Sequence, residues 1–210
     1  VNYGYNEGLP DLRTDAMLMD TRFRFWIGTR RGLSQLKGNR FITYPLSDSQ
    51  QISYVFNLIE TRMGKVWALT NAGVYEFNTD KWQKVNLFPG YINKACRGIV
   101  ETDEGIYINY GNLLVLKKND GHFITLTPYN EVSYYYNNLC LSGDSVFIST
   151  GDGICSIKNK QLHKLPGAPG RLKNEYYFFF DSKKRCWVGA EQSGLQFVPA
   201  NDSSILKPFY

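Results

Sequence analysis

Five large aromatic residues recur at a nearly constant interval: Trp26, Trp67, Tyr107, Phe147 and Trp187, separated by 41, 40, 40 and 40 residues. A chain that returns to one core position at this interval, each time inside a β-rich stretch, builds the same small sheet repeatedly. That is the sequence mark of a propeller made of four-stranded blades.

The register extends well beyond the ring. Aligned on the aromatic, Asp20-Thr-Arg-Phe-Arg-Phe-Trp26-Ile-Gly-Thr29 becomes Thr61-Arg-Met-Gly-Lys-Val-Trp67-Ala-Leu-Thr70, and the later units read Glu101 to Tyr110, Leu141 to Thr150 and Asp181 to Ala190. A polar turn precedes each aromatic. A short loop follows it, usually with Gly (Gly32, Gly73, Gly153, Gly194), and then an apolar stretch such as Leu33–Leu36 or Val74–Phe77. A further polar turn leads to an aromatic or branched strand, as in Phe41–Tyr44 and Trp82–Val85. Each unit therefore reads as an inner strand A, an aromatic strand B, a strand C after the Gly and an outer strand D. Alternation with period two in Tyr75-Glu-Phe and Phe23-Arg-Phe, and continuous apolar runs in Val146-Phe-Ile and Leu113-Leu-Val-Leu, fit strands stacked between neighbouring sheets.

The expected architecture is all-β: a β-propeller region of about five consecutive four-stranded blades, at residues 11–46, 52–88, 93–128, 133–166 and 172–210. Residues 1–10 read as the tail of a preceding blade, and the whole as a fragment of a larger, seven-bladed propeller. Hydrophobic content of 43% and aromatic content of 15% supply a substantial core and favour sheet. No apolar run of bilayer length and no signal peptide is present.

The net charge of +5 does not argue for nucleic acid, because Lys and Arg occur singly or in short groups interleaved with Asp and Glu, as on a solvated surface. Of the four cysteines, Cys140 on strand A and Cys155 on strand C of one unit stand two strands apart, roughly 9–10 Å, beyond reach of a bridge. Cys186 fills a slot held elsewhere by Phe25, Val66, Ile106 and Val146, so free buried thiols are expected. No Cys-x-x-Cys spacing suggests zinc, and no metal or cofactor is expected.

Catalytic signals are poor. His122 and His163 lie at the rim without a partner at metalloprotease spacing, and no Gly-x-Ser-x-Gly elbow occurs. Asp103, Glu104, Asp144 and Asp181 fall in A–B turns, where short polar residues are the default. No catalytic residue is assigned.

The B–C loops and the D-to-A connections are the better candidates. In a propeller both emerge around the mouth of the axial channel. The loops carry Arg30, Arg31, Asn71, Tyr110, Asn112, Asp152, Glu191 and Gln192, and the connections carry Tyr54, Tyr91, Tyr134, Tyr135, Tyr136, Tyr176 and Tyr177. Flat rings beside amide, carboxylate and guanidinium groups suit sugars, whose C–H faces meet aromatics while their hydroxyls need polar partners. The candidate ligand-binding set is Arg30, Arg31, Asn71, Tyr110, Asn112, Tyr134, Tyr135, Asp152, Tyr176, Glu191 and Gln192.

The segment Asp20-Thr-Arg-Phe-Arg-Phe-Trp26-Ile-Gly-Thr-Arg-Arg-Gly-Leu33, echoed by Thr61 to Val74 and by Arg185-Cys-Trp187-Val-Gly followed by Gly194-Leu195, resembles the two-component regulator propeller repeat. Glu7-Gly-Leu-Pro10 resembles the link between such repeats. The resemblance covers nearly the whole chain; it weakens in the third and fourth units, where Tyr107 and Phe147 replace Trp. It implies a piece of the periplasmic sensor region of a hybrid two-component histidine kinase of the kind gut Bacteroidetes use to detect glycan fragments. The implied partners are an oligosaccharide ligand, further propeller blades, downstream kinase modules and a second copy in a dimeric sensor. The implied role is non-enzymatic. Two alternatives from other classes are a propeller lyase or glycosidase, using Asp152 and Glu191 as acids, and a passive protein-interaction scaffold, which lacks the Gly-His and Trp-Asp marks of WD repeats.

Overall fold

The computed structural model describes residues 2–46, 52–111, 113–128, 138–150, 153–165, 176–190, 194–198 and 207–208. Each repeat folds as a four-stranded antiparallel sheet whose strands lie side by side in chain order. The sheets fall into two compact units, residues 1–97 with two sheets and residues 98–210 with three.

In the first unit, β1 (Thr14–Met19), β2 (Phe25–Thr29), β3 (Gly32–Lys37) and β4 (Arg40–Tyr44) form one sheet, and β5 (Val55–Glu60), β6 (Val66–Thr70), β7 (Gly73–Asn78) and β8 (Lys81–Val85) the next. The second unit holds β9 (Gly98–Glu101), β10 (Gly105–Asn109), β11 (Leu113–Lys118) and β12 (Phe123–Pro128); then β13 (Leu139–Ser142), β14 (Ser145–Thr150), β15 (Gly153–Lys158) and β16 (Gln161–Lys164); then β17 (Tyr176–Phe180), β18 (Cys186–Ala190), β19 (Gly194–Val198) and β20 (Lys207–Pro208). The five recurring aromatics all stand on the second strand of their sheets. Trp26 pairs with Leu18 and Gln35, Trp67 with Ile59 and Glu76, Tyr107 with Val100 and Leu116, Phe147 with Cys140 and Ser156, and Trp187 with Phe179 and Phe197.

Within each unit the core lies between sheets, which is why the middle strands are apolar on both faces. Trp26 is fully buried and meets Phe77 and Trp82 of the second sheet at centroid distances of 4.6 and 5.4 Å. Ala16 and Leu18 of β1 pack into the same cluster with Val55, Leu58 and Tyr75. In the second unit, Val100, Tyr107 and Leu116 of the third sheet pack with Leu139, Val146 and Ile148 of the fourth. Ile154 and Phe147 then meet Phe178 and Phe180 of the fifth, the Phe147 and Phe180 centroids being 4.4 Å apart. Polar ties cross the same seams. The Glu60 carboxylate accepts both the N–H and the hydroxyl of Thr21, at 2.7 and 2.6 Å, and the Asn138 amide donates to the Phe178 carbonyl at 3.0 Å.

The A–B turns hold a device that sequence inspection did not single out. Asp20 leaves β1 with its side chain turned inward, and Oδ2 accepts the indole N–H of Trp26 at 2.9 Å and Nε of Arg24 at 2.7 Å. Oδ1 accepts the backbone N–H groups of Arg22 and Arg24 at 3.0 and 2.9 Å. The fifth repeat reproduces the arrangement: Asp181 accepts from Trp187 (2.9 Å), Arg185 Nε (2.6 Å) and the backbone N–H groups of Lys183 (2.9 Å) and Arg185 (3.0 Å). The signal was in the sequence as Asp-x-x-x-Arg-x-Trp, present at Asp20 and again at Asp181. The second repeat has Thr61 in the Asp slot, and there Glu76, across the sheet on β7, accepts the Trp67 indole at 2.9 Å and the Lys65 ammonium at 3.0 Å. In the third repeat the Tyr107 hydroxyl donates to Glu104. Burial and this negative partner both raise the Tyr107 pKa above its ordinary value.

Burial of Asp20 opposes its ionisation, but the hydrogen bonds from Trp26 and Arg24, with the Arg24 charge, outweigh it and hold the carboxyl below its usual range. Asp181 is held low by the Trp187 and Arg185 donors against a smaller desolvation effect. A depressed folded-state pKa contributes stability that is present above the unfolded carboxyl value of about 3.9 and lost as pH falls through the folded value. The urea midpoint is therefore expected to fall between pH 6 and pH 3, and to fall less in Asp20→Asn. An unchanged pH slope in that variant would remove Asp20 from the account.

The four cysteines form no disulfide with one another, and Cys96, Cys155 and Cys186 are buried. Burial, and then the neighbouring Cys140 thiol, push the Cys186 pKa up to about 12, as for a packed, unreactive thiol.

Candidate functional site

In the first, second and fourth repeats two residues separate a Thr ending the second strand from a Gly opening the third. The Thr hydroxyl donates to the Gly carbonyl at 3.1 Å for Thr29 and Gly32, 2.8 Å for Thr70 and Gly73, and 2.9 Å for Thr150 and Gly153. It also accepts a loop N–H, from Arg31 at 3.2 Å or from Ala72 at 3.1 Å. Gly73 is required twice over: its φ is 120°, and a Cβ there would lie 2.3 Å from the Ile92 carbonyl oxygen. The Thr of the Trp-Ile-Gly-Thr pattern thus builds the platform for the loop residues.

On the first platform, Arg30 and Arg31 are exposed. Arg31 keeps 73% of its side-chain surface in solvent, and its Nε lies 3.7 Å from Asp11. Asp11 accepts the Arg13 backbone N–H at 2.9 Å, and Arg13 Nε lies 3.3 Å from Asp15. Asp15, whose side chain is 2% exposed, faces the Val55 N–H at 3.5 Å. Arg31 therefore stands at the open end of a chain of charged groups rooted in the seam between sheets. On the second platform, Asn71 turns its carbonyl oxygen to the N–H groups of Ser53 and Tyr54, both at 3.0 Å, and so fastens the incoming connection to its own sheet. The Tyr54 and Phe56 rings lie 4.9 Å apart, and the Arg97 guanidinium sits 4.8 Å over Phe56.

In the second unit, Tyr110 is buried at 8% exposure, and the backbone of Tyr176 opens β17. Asn112, Tyr134, Tyr135, Asp152, Glu191 and Gln192, along with Tyr136, lie outside the described residues. His122 and His163 are exposed, and His122 Nδ1 lies 3.2 Å from Asp120. Among the described residues, no group of three His, Cys, Asp or Glu side chains is placed to hold a metal ion, and no helix is long and apolar enough to cross a membrane.

No family model matches the chain, and no curated protein matches it in sequence. Solved structures match it in shape. The extracellular domain of a protein designated a hybrid two-component system from B. thetaiotaomicron superposes with a TM-score of 0.71 at 17% identity, over 99% of this chain and 31% of that one. A second such domain from B. thetaiotaomicron gives 0.69 at 19% identity, over 94% and 30%. Virginiamycin B lyase from Staphylococcus aureus gives 0.65 at 16% identity, over 93% and 69%. The chain thus spans about a third of the length of the extracellular domains it matches. At these identities the likeness shows the fold, consecutive blades of a β-propeller.

Proposed function

We propose that this chain is an extracytoplasmic, ligand-sensing propeller segment of a hybrid two-component sensor histidine kinase, periplasmic in location, that detects glycan fragments and signals across the membrane to control transcription. The observation that carries the reading is the likeness to two sensor extracellular domains along nearly all of the chain, beside the repeat pattern around Trp26, Trp67 and Trp187. The exposed Arg30 and Arg31 supply hydroxyl-binding donors where such a ligand would sit. The segment itself is non-enzymatic in this reading, and the signal is a difference in ligand affinity between two arrangements of a dimeric sensor.

Thermal shift of the chain against an oligosaccharide panel tests it. A glycan at a hundredfold excess over its Kd is expected to raise Tm by about 5 °C or more, and Arg30→Ala with Arg31→Ala to abolish the rise. A panel without any response removes glycan sensing. The likeness to virginiamycin B lyase supports a second reading, an enzyme acting on polysaccharide; turnover that disappears in Asp152→Asn or Glu191→Gln would establish it in place of the first.

A further inference from the structure

At the A–B-turn ends of the first two sheets, away from the loops discussed above, an open cleft of about 390 Å³ is lined by Arg22, Arg24, Met63, Phe77, Asn78 and Thr79, with Lys65 and Glu76 completing it. Its size falls within the range of small-molecule sites. What marks it out is a one-sided hydrogen-bonding capacity.

The carboxylates around it are already engaged. Both oxygens of Asp20 are taken by Arg22, Arg24 and Trp26. Those of Glu76 are taken by Lys65 and Trp67, and those of Glu60 by Thr21. The Asn78 carbonyl oxygen accepts from Thr79. The donors are not saturated: the Arg22 guanidinium and the terminal nitrogens of Arg24 make no hydrogen bond or ion pair among the described residues. Arg24 is also held in place, since Asp20 fixes its Nε and its guanidinium carbon lies 5.1 Å over the Trp26 ring. A fixed fork and a free one, beside the apolar Phe77 and Met63, fit an acceptor group on a carbon frame.

The turn that carries both arginines contributes a second, independent observation. Phe23, between them, has φ 58° and is 87% exposed. In the second repeat the same slot is Gly64, at φ 72°. The left-handed conformation belongs to the turn, since Lys184 holds the same slot of the fifth repeat at φ 60°; what the turn does not call for is a bulky ring left in water. Its ring is exposed on the turn that carries Arg22 and Arg24, and an exposed ring face suits the C–H face of a sugar.

We propose that this cleft binds a sugar acid, its carboxylate or sulfate clamped by Arg22 and Arg24 and its ring laid toward Phe23. The proposal does not depend on the sensor reading, because the cleft lies away from Arg30 and Arg31. Titration calorimetry of the chain with glucuronate, inorganic sulfate and glucose tests it. Glucuronate is expected to bind, glucose not to, and inorganic sulfate to bind more weakly than glucuronate. Arg22→Gln is expected to weaken glucuronate about tenfold, the worth of a charge-assisted pair. Phe23→Gly is expected to weaken it severalfold while leaving the unfolding midpoint unchanged or higher, which separates binding from folding. Glucose binding as tightly as glucuronate, glucuronate failing to bind, or Arg22→Gln leaving its affinity intact would each overturn the proposal. Sulfate binding as tightly as glucuronate would overturn the part played by the sugar frame.

Discussion

Asp20→Ala is expected to lower the stability of the chain by about 2–4 kcal/mol, among the largest losses available from a single polar side chain outside the loops. The Asp20 side chain is fully buried, as is the Trp26 ring. Removing the carboxylate leaves the indole N–H without an acceptor, frees the backbone N–H groups of Arg22 and Arg24, and strips Arg24 of its countercharge. Each orphaned buried donor costs about 1–3 kcal/mol, reduced where water can enter the space vacated. The Arg24 side chain, 25% exposed, recovers part of its loss from solvent. Asp181→Ala removes the same set of contacts from a carboxylate that is 17% exposed, so its effect should be the smaller. Urea unfolding at pH 7 followed by tryptophan emission gives the comparison. A coupling of about 1 kcal/mol or more between Asp20→Ala and Trp26→Phe would assign the loss to the indole hydrogen bond, whereas additive effects would place it in Arg24 and the turn.

That clamp also shows where reading the chain stopped short. The recurring aromatics were legible because each repeats a packing environment, and period-two alternation then located the strands on either side. Asp20 and Asp181 were not, because a carboxylate in a turn between strands looks the same in sequence whether it faces water or an indole. The repeated Asp-x-x-x-Arg-x-Trp spacing was the only clue, and it acquires meaning once the turn is seen to curl the carboxylate under the ring. Asn71 presents a similar case: a polar loop residue reads as ligand-facing, while in the fold its carbonyl oxygen holds Ser53 and Tyr54. The cleft at Arg22 was beyond sequence altogether. Its walls come from the A–B turns of two repeats and the C–D turn of the second, so it exists only after the two sheets have packed. Phe23 was in view from the start, yet it reads as one more β-favouring aromatic until its exposure and positive φ are known.

The two glycines of the Trp-x-Gly pattern provide the second large effect, and they separate local preference from packing between blades. Gly28 on β2 and Gly189 on β18 occupy the same repeat position. A Cβ at Gly28 would lie 2.6 Å from Val55 Cγ1 and 2.8 Å from Val55 Cβ, and Val55, on the neighbouring sheet, is fully buried and has nowhere to move. Among the described residues, a Cβ at Gly189 meets nothing within 4 Å. Were glycine needed for the strand or the turn beside it, both Ala variants would suffer alike. Packing predicts otherwise. Gly28→Ala should cost about 1–3 kcal/mol through overpacking, while Gly189→Ala should be neutral or gain up to about 1 kcal/mol from the reduced freedom of the unfolded chain. Val55→Ala removes the Cγ1 and Cγ2 contacts while its Cβ stays at 2.8 Å, so it should relieve the clash in part, and the double variant Gly28→Ala with Val55→Ala is expected to lose less than the sum of its single changes by about 1 kcal/mol. Equal losses at the two glycines, or strict additivity of Gly28→Ala with Val55→Ala, would mean that the seam between the first two sheets is not set by the contact of Val55 with the β2 backbone.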